Sequence, residues 1–274
     1  MNFFQIIDQL TEVDPDALGR LDSRRAVFGS LGKLAKRGAV ATAPVLLASF
    51  FQKAYAGTNA GDPVEIFNYA LTLELLEADF YAKMIASPVF ASQTAAAQAA
   101  IRQIKKHEDA HVSLLTTVVR GINGTPVSGI AFKMSAFPNS DWAGQLGIAQ
   151  SLEDTGVRAY KGRAGDLLGI ADVAITGVGT INPLQSALQI HSVEARHAAH
   201  IRYMRNQAAW INGNGDLDNT APYQGATPES NVTQSNVNLT TGLGTTYTAT
   251  DAQASFDEPL TKPEVLAIAM PLIQ

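Results

Sequence analysis

The sequence predicts an all-α protein, a four-helix bundle built from two similar helical hairpins, and three observations predict it. Four stretches of more than twenty residues carry apolar residues at helical steps and are joined by polar, Gly- and Pro-containing turns. Two of these stretches contain Glu-x-x-His, as Glu108-Asp-Ala-His111 and Glu194-Ala-Arg-His197. The other two carry Leu73-Glu74 followed by Tyr81 and Leu152-Glu153 followed by Tyr160, so the chain repeats one hairpin pattern in tandem.

The elements follow in order. Ser23-Arg24-Arg25 precedes Phe28, Lys33, Lys36 and Arg37, then an apolar run from Gly38 to Phe51 ends at Ala54-Tyr55-Ala56. A charged region, a short apolar region and an Ala-x-Ala site form an export signal over residues 1–56, with cleavage near Ala56. The paired arginines make it similar to a twin-arginine signal, with Phe one place later than usual. The apolar run of about fourteen residues falls short of the ~20 needed to span a bilayer, so no stable membrane span remains after cleavage. The alternatives are a retained basic amphipathic helix and an uncleaved anchor.

Residues 57–210 are expected to form the bundle. Asp62-Pro63 starts a helix running to about Ile85, because proline at the first helical position lacks only a donor that has no partner there. Ser92 or Thr94 opens the second helix, which ends near Gly121 to Gly124. A loop with Pro126, Gly129 and Pro138 crosses to the third, from about Trp142 to Asp166. Gly-rich sequence from Gly169 to Gly179 leads to the fourth, from Asn182-Pro183 to about Asn212-Gly213. Residues 211–274 form an extension. From Gly213 to Ala254 the chain is rich in Asn, Thr, Gly and Ser and lacks apolar periodicity, which predicts an irregular wrap on the bundle. Thr261-Lys-Pro-Glu264 is a capping box for a short apolar helix, Val265 to Ile273, that closes one end.

Residues three apart share a helix face, so each Glu-x-x-His can present a carboxylate and an imidazole to one ion. Both pairs interrupt an apolar stripe: Ile101, Ile104, Glu108, His111, Leu115 and Val118 in one helix, Ala187, Ile190, Glu194, His197, Ile201 and Met204 in the other. The stripe aims them at the bundle interior. Chance placement of five His and ten Glu in this chain would give about 0.2 such pairs, so two are significant. One Glu and one Glu-x-x-His from each half make a site for two metal ions. Four buried carboxylates, Glu74, Glu108, Glu153 and Glu194, would repel one another and stay costly without cations, and two divalent ions neutralise them. Carboxylates and imidazoles without thiolate suit iron or manganese, with zinc also possible. Glu108 and Glu194 are expected to bridge, His111 and His197 to supply terminal nitrogens, and Glu74 and Glu153 terminal carboxylates. The competing reading makes these exposed Glu–His pairs on helix surfaces.

Weaker candidates surround this set. Glu77 shares the face of Glu74, but its repeat counterpart is Gly156; it is an extra ligand, a proton carrier or a polar group at the bundle edge. Tyr81 and Tyr160 either hydrogen-bond the ligands from behind or are ordinary core residues. His107, His191 and His200 lie off the stripe and read as solvated helix histidines.

Composition excludes several classes. The net charge of −5 and isoelectric point near 5.5 offer no basic face for nucleic acid. The lack of cysteine removes disulfides, thiolate metal sites, iron–sulfur clusters and cysteine nucleophiles.

Through Leu73-Glu-Leu-Leu-Glu-Ala-Asp-Phe-Tyr81, His107-Glu-Asp-Ala-His111, Leu152-Glu153 and Glu194-Ala-Arg-His197, the chain resembles the ferritin-like superfamily over about residues 62–210. Within it, Ser255-Phe-Asp-Glu-Pro-Leu-Thr261 is similar to the closing segment of an exported bacterial branch that includes desiccation-related ferritin-like proteins. The resemblance implies a periplasmic or extracellular location, and a twin-arginine route would carry the protein already folded and metal-loaded. It implies a ferroxidase-like or catalase-like oxidoreductase whose partners are metal ions and oxygen or peroxide. Without cysteine the chain lacks the rubredoxin relay of a rubrerythrin-like protein. The alternative is a non-catalytic stress-related binding or structural protein with a metal-stabilised or vestigial site. A homo-oligomer fits either; a hollow storage shell fits less well, because the irregular extension would hinder tiling.

Overall fold

The computed structural model describes residues 62–274 except 214, 216, 218 and 242–246, and the expected export signal over residues 1–56 lies outside the described residues. Four long helices form the bundle: α1 (Pro63–Ala86), α2 (Ala95–Gly121), α3 (Trp142–Ala164) and α4 (Pro183–Met204). α1 packs chiefly on α2 and α3 on α4, so the two expected hairpins are the units of the fold. Among the described residues, no helix is long and apolar enough to cross a membrane.

The helix starts are set by side chains that satisfy otherwise unpaired backbone donors. Asp62 accepts from the Val64 N–H at 3.0 Å, Thr94 from Ala97 at 3.2 Å and Asn182 from Gln185 at 2.8 Å. Pro63 and Pro183 follow the first and last of these caps directly. α4 ends at Met204, short of the expected Asn212-Gly213. Asn206 takes a left-handed φ of 58°, which lets the Gln207 N–H reach back to the Arg202 carbonyl at 2.9 Å and closes the helix.

The segment between α3 and α4, read as Gly-rich loop, contains a small antiparallel hairpin of β1 (Val173–Ile175) and β2 (Gly179–Ile181). Three-residue strands are too short to show an alternating pattern in sequence. The extension is less irregular than expected. It contains a second hairpin, β3 (Thr233–Gln234) with β4 (Val237–Asn238), and a short α5 (Ala249–Gln253) started by a Thr248–Asp251 capping box. The expected box at Thr261 is present too, with Glu264 accepting from the Thr261 N–H at 2.7 Å, and opens α6 (Lys262–Ala269). That helix stops before Ile273 because Pro271 has no N–H to continue it, and a 3-10 turn over Met270–Leu272 follows. α6 packs on α3, and Ile273 bridges to Phe132.

What fixes the extension is a buried arginine on α3. The Arg158 guanidinium donates to the carbonyls of Glu258 at 2.8 Å, Gln224 at 2.9 Å and Thr227 at 2.8 Å, as well as to Pro222, and pairs with the Glu229 carboxylate at 2.9 Å. One turn on, Gly162 lets the closing segment pass: a Cβ there would stand 1.9 Å from the Leu260 carbonyl oxygen.

The bundle interior divides into two apolar clusters. Ile101 and Ile104 of α2, Leu146, Ala149 and Leu152 of α3 and Ile201 of α4 belong to one; Leu115 and Val118, Tyr160, and Ala187 and Ile190 belong to the other. Along each helix the residues at the changeover are the acidic and imidazole ones, Glu108 and His111, Glu153, and Glu194 and His197.

Replacing Arg158 with Ala strands Glu229 in the interior and removes the donors that hold four carbonyls. We expect the Arg158→Ala chain to lose about 3–5 kcal/mol in urea unfolding and to be cut early by chymotrypsin within the extension, at Tyr223 or Phe256. Unchanged stability and proteolysis would mean that the extension holds itself without the arginine.

Candidate metal centre

The six residues singled out as ligands converge in that polar layer. Glu74, Glu108, Glu153 and Glu194 are fully buried, and His111 and His197 are nearly so. The alternative of surface Glu–His pairs is therefore removed. Two overlapping groups form: Glu74, Glu108, His111 and Glu194, and Glu108, Glu153, Glu194 and His197, with one candidate ligand atom from each member lying within 4.8 Å of all the others in its group. Each group holds three carboxylates and one imidazole, and Glu108 and Glu194 belong to both.

Both imidazoles turn Nδ1 inward. His111 Nδ1 lies 3.0 Å from Glu74 Oε2, 3.2 Å from Glu108 Oε2 and 3.3 Å from Glu194 Oε1. His197 Nδ1 lies 2.9 Å from Glu108 Oε1 and 3.1 Å from Glu153 Oε2. Tyr81 and Tyr160 support the carboxylates from behind, and they do so crosswise. The Tyr81 hydroxyl donates to Glu153, and the Tyr160 hydroxyl donates to Glu74 at 2.5 Å. Each tyrosine thus fixes the acid of the other hairpin.

These residues fit a pair of cations on the structure's own terms. Both carboxylate oxygens of Glu194 and Oε2 of Glu77 are buried without a hydrogen bond, and Oε1 of Glu108 is buried with only His197 Nδ1 beside it. A carboxylate oxygen left so in the interior is costly, and the oxygens of Glu108 and Glu194 are the ones common to both groups. All-oxygen and imidazole donors match iron, manganese or zinc.

The proton affinities express the same conflict. Burial pushes Glu194 and Glu77 well above the usual carboxylate range, and neighbouring carboxylates add to the push, Glu108 first for Glu194 and Glu153 first for Glu77. Burial likewise raises Glu74 to about 7 and raises Glu153. Burial acts upward on Glu108 as well, but hydrogen bonds from His111 and His197 outweigh it and hold this acid at about 2. Burial disfavours the imidazolium of both histidines, yet the surrounding carboxylates raise His111 to about 9 and His197 to about 10.

Glu77 is fully buried, 2% exposed, and not at the bundle edge. It fills the space left by its repeat counterpart: a Cβ on Gly156 would meet Glu194 Oε2 at 3.1 Å and Glu77 Oε1 at 3.5 Å. Two of the three outer histidines differ from expectation. His191 Nδ1 donates to the Val157 carbonyl at 2.9 Å, and His107 Nδ1 sits 2.8 Å from His197 Nε2. His200 is exposed, as read. His107 was findable in sequence only as an i, i+4 partner of His111; its contact with His197 crosses between hairpins and has no local signature.

A cleft of about 420 Å3 between α2 and α4 reaches the layer, lined by Gln103, His107, His111, Arg196, His197 and His200 among others. A small solute in that cleft meets the outer edges of both inward-facing histidines.

In the ion-free chain, His111 and His197 hold protons more tightly than an unfolded histidine does. Their contribution to stability is complete below about pH 6.5 and is lost as pH rises through about 9 and 10. Glu74 acts in the same direction, its contribution being lost between the ordinary 4.5 and about 7. Glu108 acts oppositely, with stability present above 4.5 and lost as pH falls toward 2. Thermal unfolding of chelator-treated protein should therefore fall steadily from about pH 6 to about pH 10, and added Mn2+ should restore it most at the alkaline end, where fewer protons compete. A Mn2+ effect that shrinks with rising pH would contradict this.

The ferritin-like domain family model matches residues 62–207, from the cap of α1 to just beyond the end of α4. No curated protein matches the chain. The match spans more than half of the 274 residues and coincides with the two hairpins that build the buried Glu/His layer, and the chain belongs to the ferritin-like domain family.

Proposed function

We propose that this chain is an exported dimetal carboxylate protein that holds two iron or two manganese ions and turns over oxygen or peroxide under oxidative or desiccation stress. The observation that supports it most is the pair of four-residue groups sharing Glu108 and Glu194, both fully buried, with neither oxygen of Glu194 hydrogen-bonded. In this reading Glu108 and Glu194 are the ligands common to both ions. Glu74 and His111 complete one coordination set, Glu153 and His197 the other.

When bound, the two ions supply one-electron steps between the +2 and +3 states. The chain's residues prepare for those steps. Tyr81 and Tyr160 keep Glu153 and Glu74 in place, so the negative charge that offsets the ions is positioned before they arrive. Glu77 has one oxygen unpaired beside Glu194 and can hold a proton next to the centre or give it up as the charge there rises. The two apolar clusters exclude bulk water on both sides, and the cleft between α2 and α4 gives a small solute such as oxygen or peroxide a way to His111 and His197.

The second reading, a stress-related binding protein without turnover, shares the metal site and differs in having no use for this cleft. Open access to both histidines favours turnover. The Ser23-Arg-Arg pattern and the Ala54-Tyr-Ala56 site support export.

Elemental analysis of the purified protein should find about two Fe or Mn per chain, reduced to trace levels in the Glu108→Ala, His197→Ala double variant. The loaded protein should then oxidise added Fe(II) or decompose peroxide. Full metal loading with neither reaction would replace the enzymatic reading by the binding one, and no metal in a folded chain would remove both.

A further inference from the structure

The two halves of the centre are matched in ligands and unmatched behind them. Each set has three carboxylates and one imidazole, and each terminal carboxylate receives one tyrosine hydroxyl from the opposite hairpin. The difference lies behind the histidines. His197 Nε2 is 2.8 Å from His107 Nδ1, the two ring planes are 7° apart with centroids 5.1 Å apart, and His107 Nε2 is 2.8 Å from the Gln103 amide. Among the described residues, no group hydrogen-bonds His111 Nε2. The residue in the repeat position of His107 is Val193, which has no polar atom to offer. The His111 side chain is also the more exposed, 11% against 5% for His197.

A histidine that binds a metal through Nδ1 must carry its proton on Nε2, and a partner that accepts this proton fixes both the tautomer and the ring plane. His107 supplies such a partner. With its Nδ1 accepting from His197, its own Nε2–H donates to Gln103, whose amide oxygen then faces it, since the two ends of an amide are told apart only by the network. The chain His197–His107–Gln103 is thereby satisfied in one direction, outward from the centre. His111 borders the cleft with no hydrogen-bond partner at its outer nitrogen among the described residues, so its tautomer and ring plane are set by the carboxylates at Nδ1 alone.

We propose that His107 is a positioning residue that makes the two metal positions unequal: the Glu108, Glu153, Glu194 and His197 position fills first and tightly, and the Glu74, Glu108, His111 and Glu194 position second and more weakly. This rests on the dimetal reading above. Loss of a hydrogen-bond partner behind a metal-bound histidine typically weakens binding by about 10–100-fold, which is the separation expected between the two steps. The weaker ion would then be the exchangeable one, on the side of the centre whose histidine has no partner behind it.

The test is a titration of the metal-free chain with Co2+ under anaerobic conditions, followed by visible absorption and calorimetry. Two steps about 10–100-fold apart are expected. His107→Val, the residue of the other half, should weaken the first step by that factor and leave the second, so the steps merge. His107→Asn, whose side-chain oxygen can accept from His197, should recover most of the separation. In a His197→Ala background His107→Val should have no further effect, whereas in a His111→Ala background its effect should persist on the one remaining step. Circular dichroism of each variant checks that the bundle is intact. Two separated steps that are untouched by His107→Val, or both weakened equally, would overturn the proposal while leaving the dimetal reading standing. Binding of fewer than two ions by the unaltered chain would overturn the reading itself.

Discussion

Five glutamates meet in the middle of this bundle with only two imidazoles to offset them, and the rest of the fold is arranged around that concentration of charge. Glu74, Glu77, Glu108, Glu153 and Glu194 are essentially fully buried, and only Glu108 among them is held in its charged form by hydrogen bonds from both histidines. An apolar core would be more stable in the absence of cations, since buried unpaired carboxylate oxygens are among the most unfavourable groups a protein can enclose. The layer persists because apolar clusters on both sides, Leu146 to Ile201 in one and Leu115 to Ile190 in the other, contribute enough to keep the four helices together with this layer between them. Stability is supplied by the ends of the bundle and the candidate ligands are confined to its middle.

Much of this was legible in the chain because it depends on periodicity. Glu108 with His111 and Glu194 with His197 occupy steps in apolar stripes, and a stripe position fixes burial whatever residue fills it. Helix starts were legible through Asp62, Thr94 and Asn182, whose side chains act on backbone two or three residues away. What was not legible depends on residues far apart. The end of α4 turns on a left-handed asparagine, which sequence rarely marks as it marks glycine. The burial of Glu77 follows from the missing side chain of Gly156 on another helix, and the role of His107 follows from a neighbour ninety residues away.

The extension illustrates the same divide. Its polar composition indicates an irregular wrap, but composition is silent about anchors supplied from elsewhere. Arg158 on α3 gathers carbonyls from three separate parts of the extension and pairs with Glu229. On the same helix, Asp154 pairs with Arg202 of α4 at 2.8 Å and accepts from Tyr223 at 2.6 Å. Four residues apart, Asp154 and Arg158 tie the extension to the helix that carries Glu153. The wrap therefore bears on the centre, since loosening it would free the helix that positions a proposed ligand.

The crossed tyrosines carry an implication for how the two halves relate. Tyr81 reaches from the first hairpin to the acid of the second, and Tyr160 reaches back. A lone hairpin would contain a tyrosine with no acid to hold and an acid with no tyrosine behind it; two identical hairpins, facing each other, would satisfy both at once. The arrangement is the one that two copies of a single hairpin would make if paired and joined end to end, and the two halves differ at His107 and Val193 and at Glu77 and Gly156 while the tyrosine exchange binds each to the other.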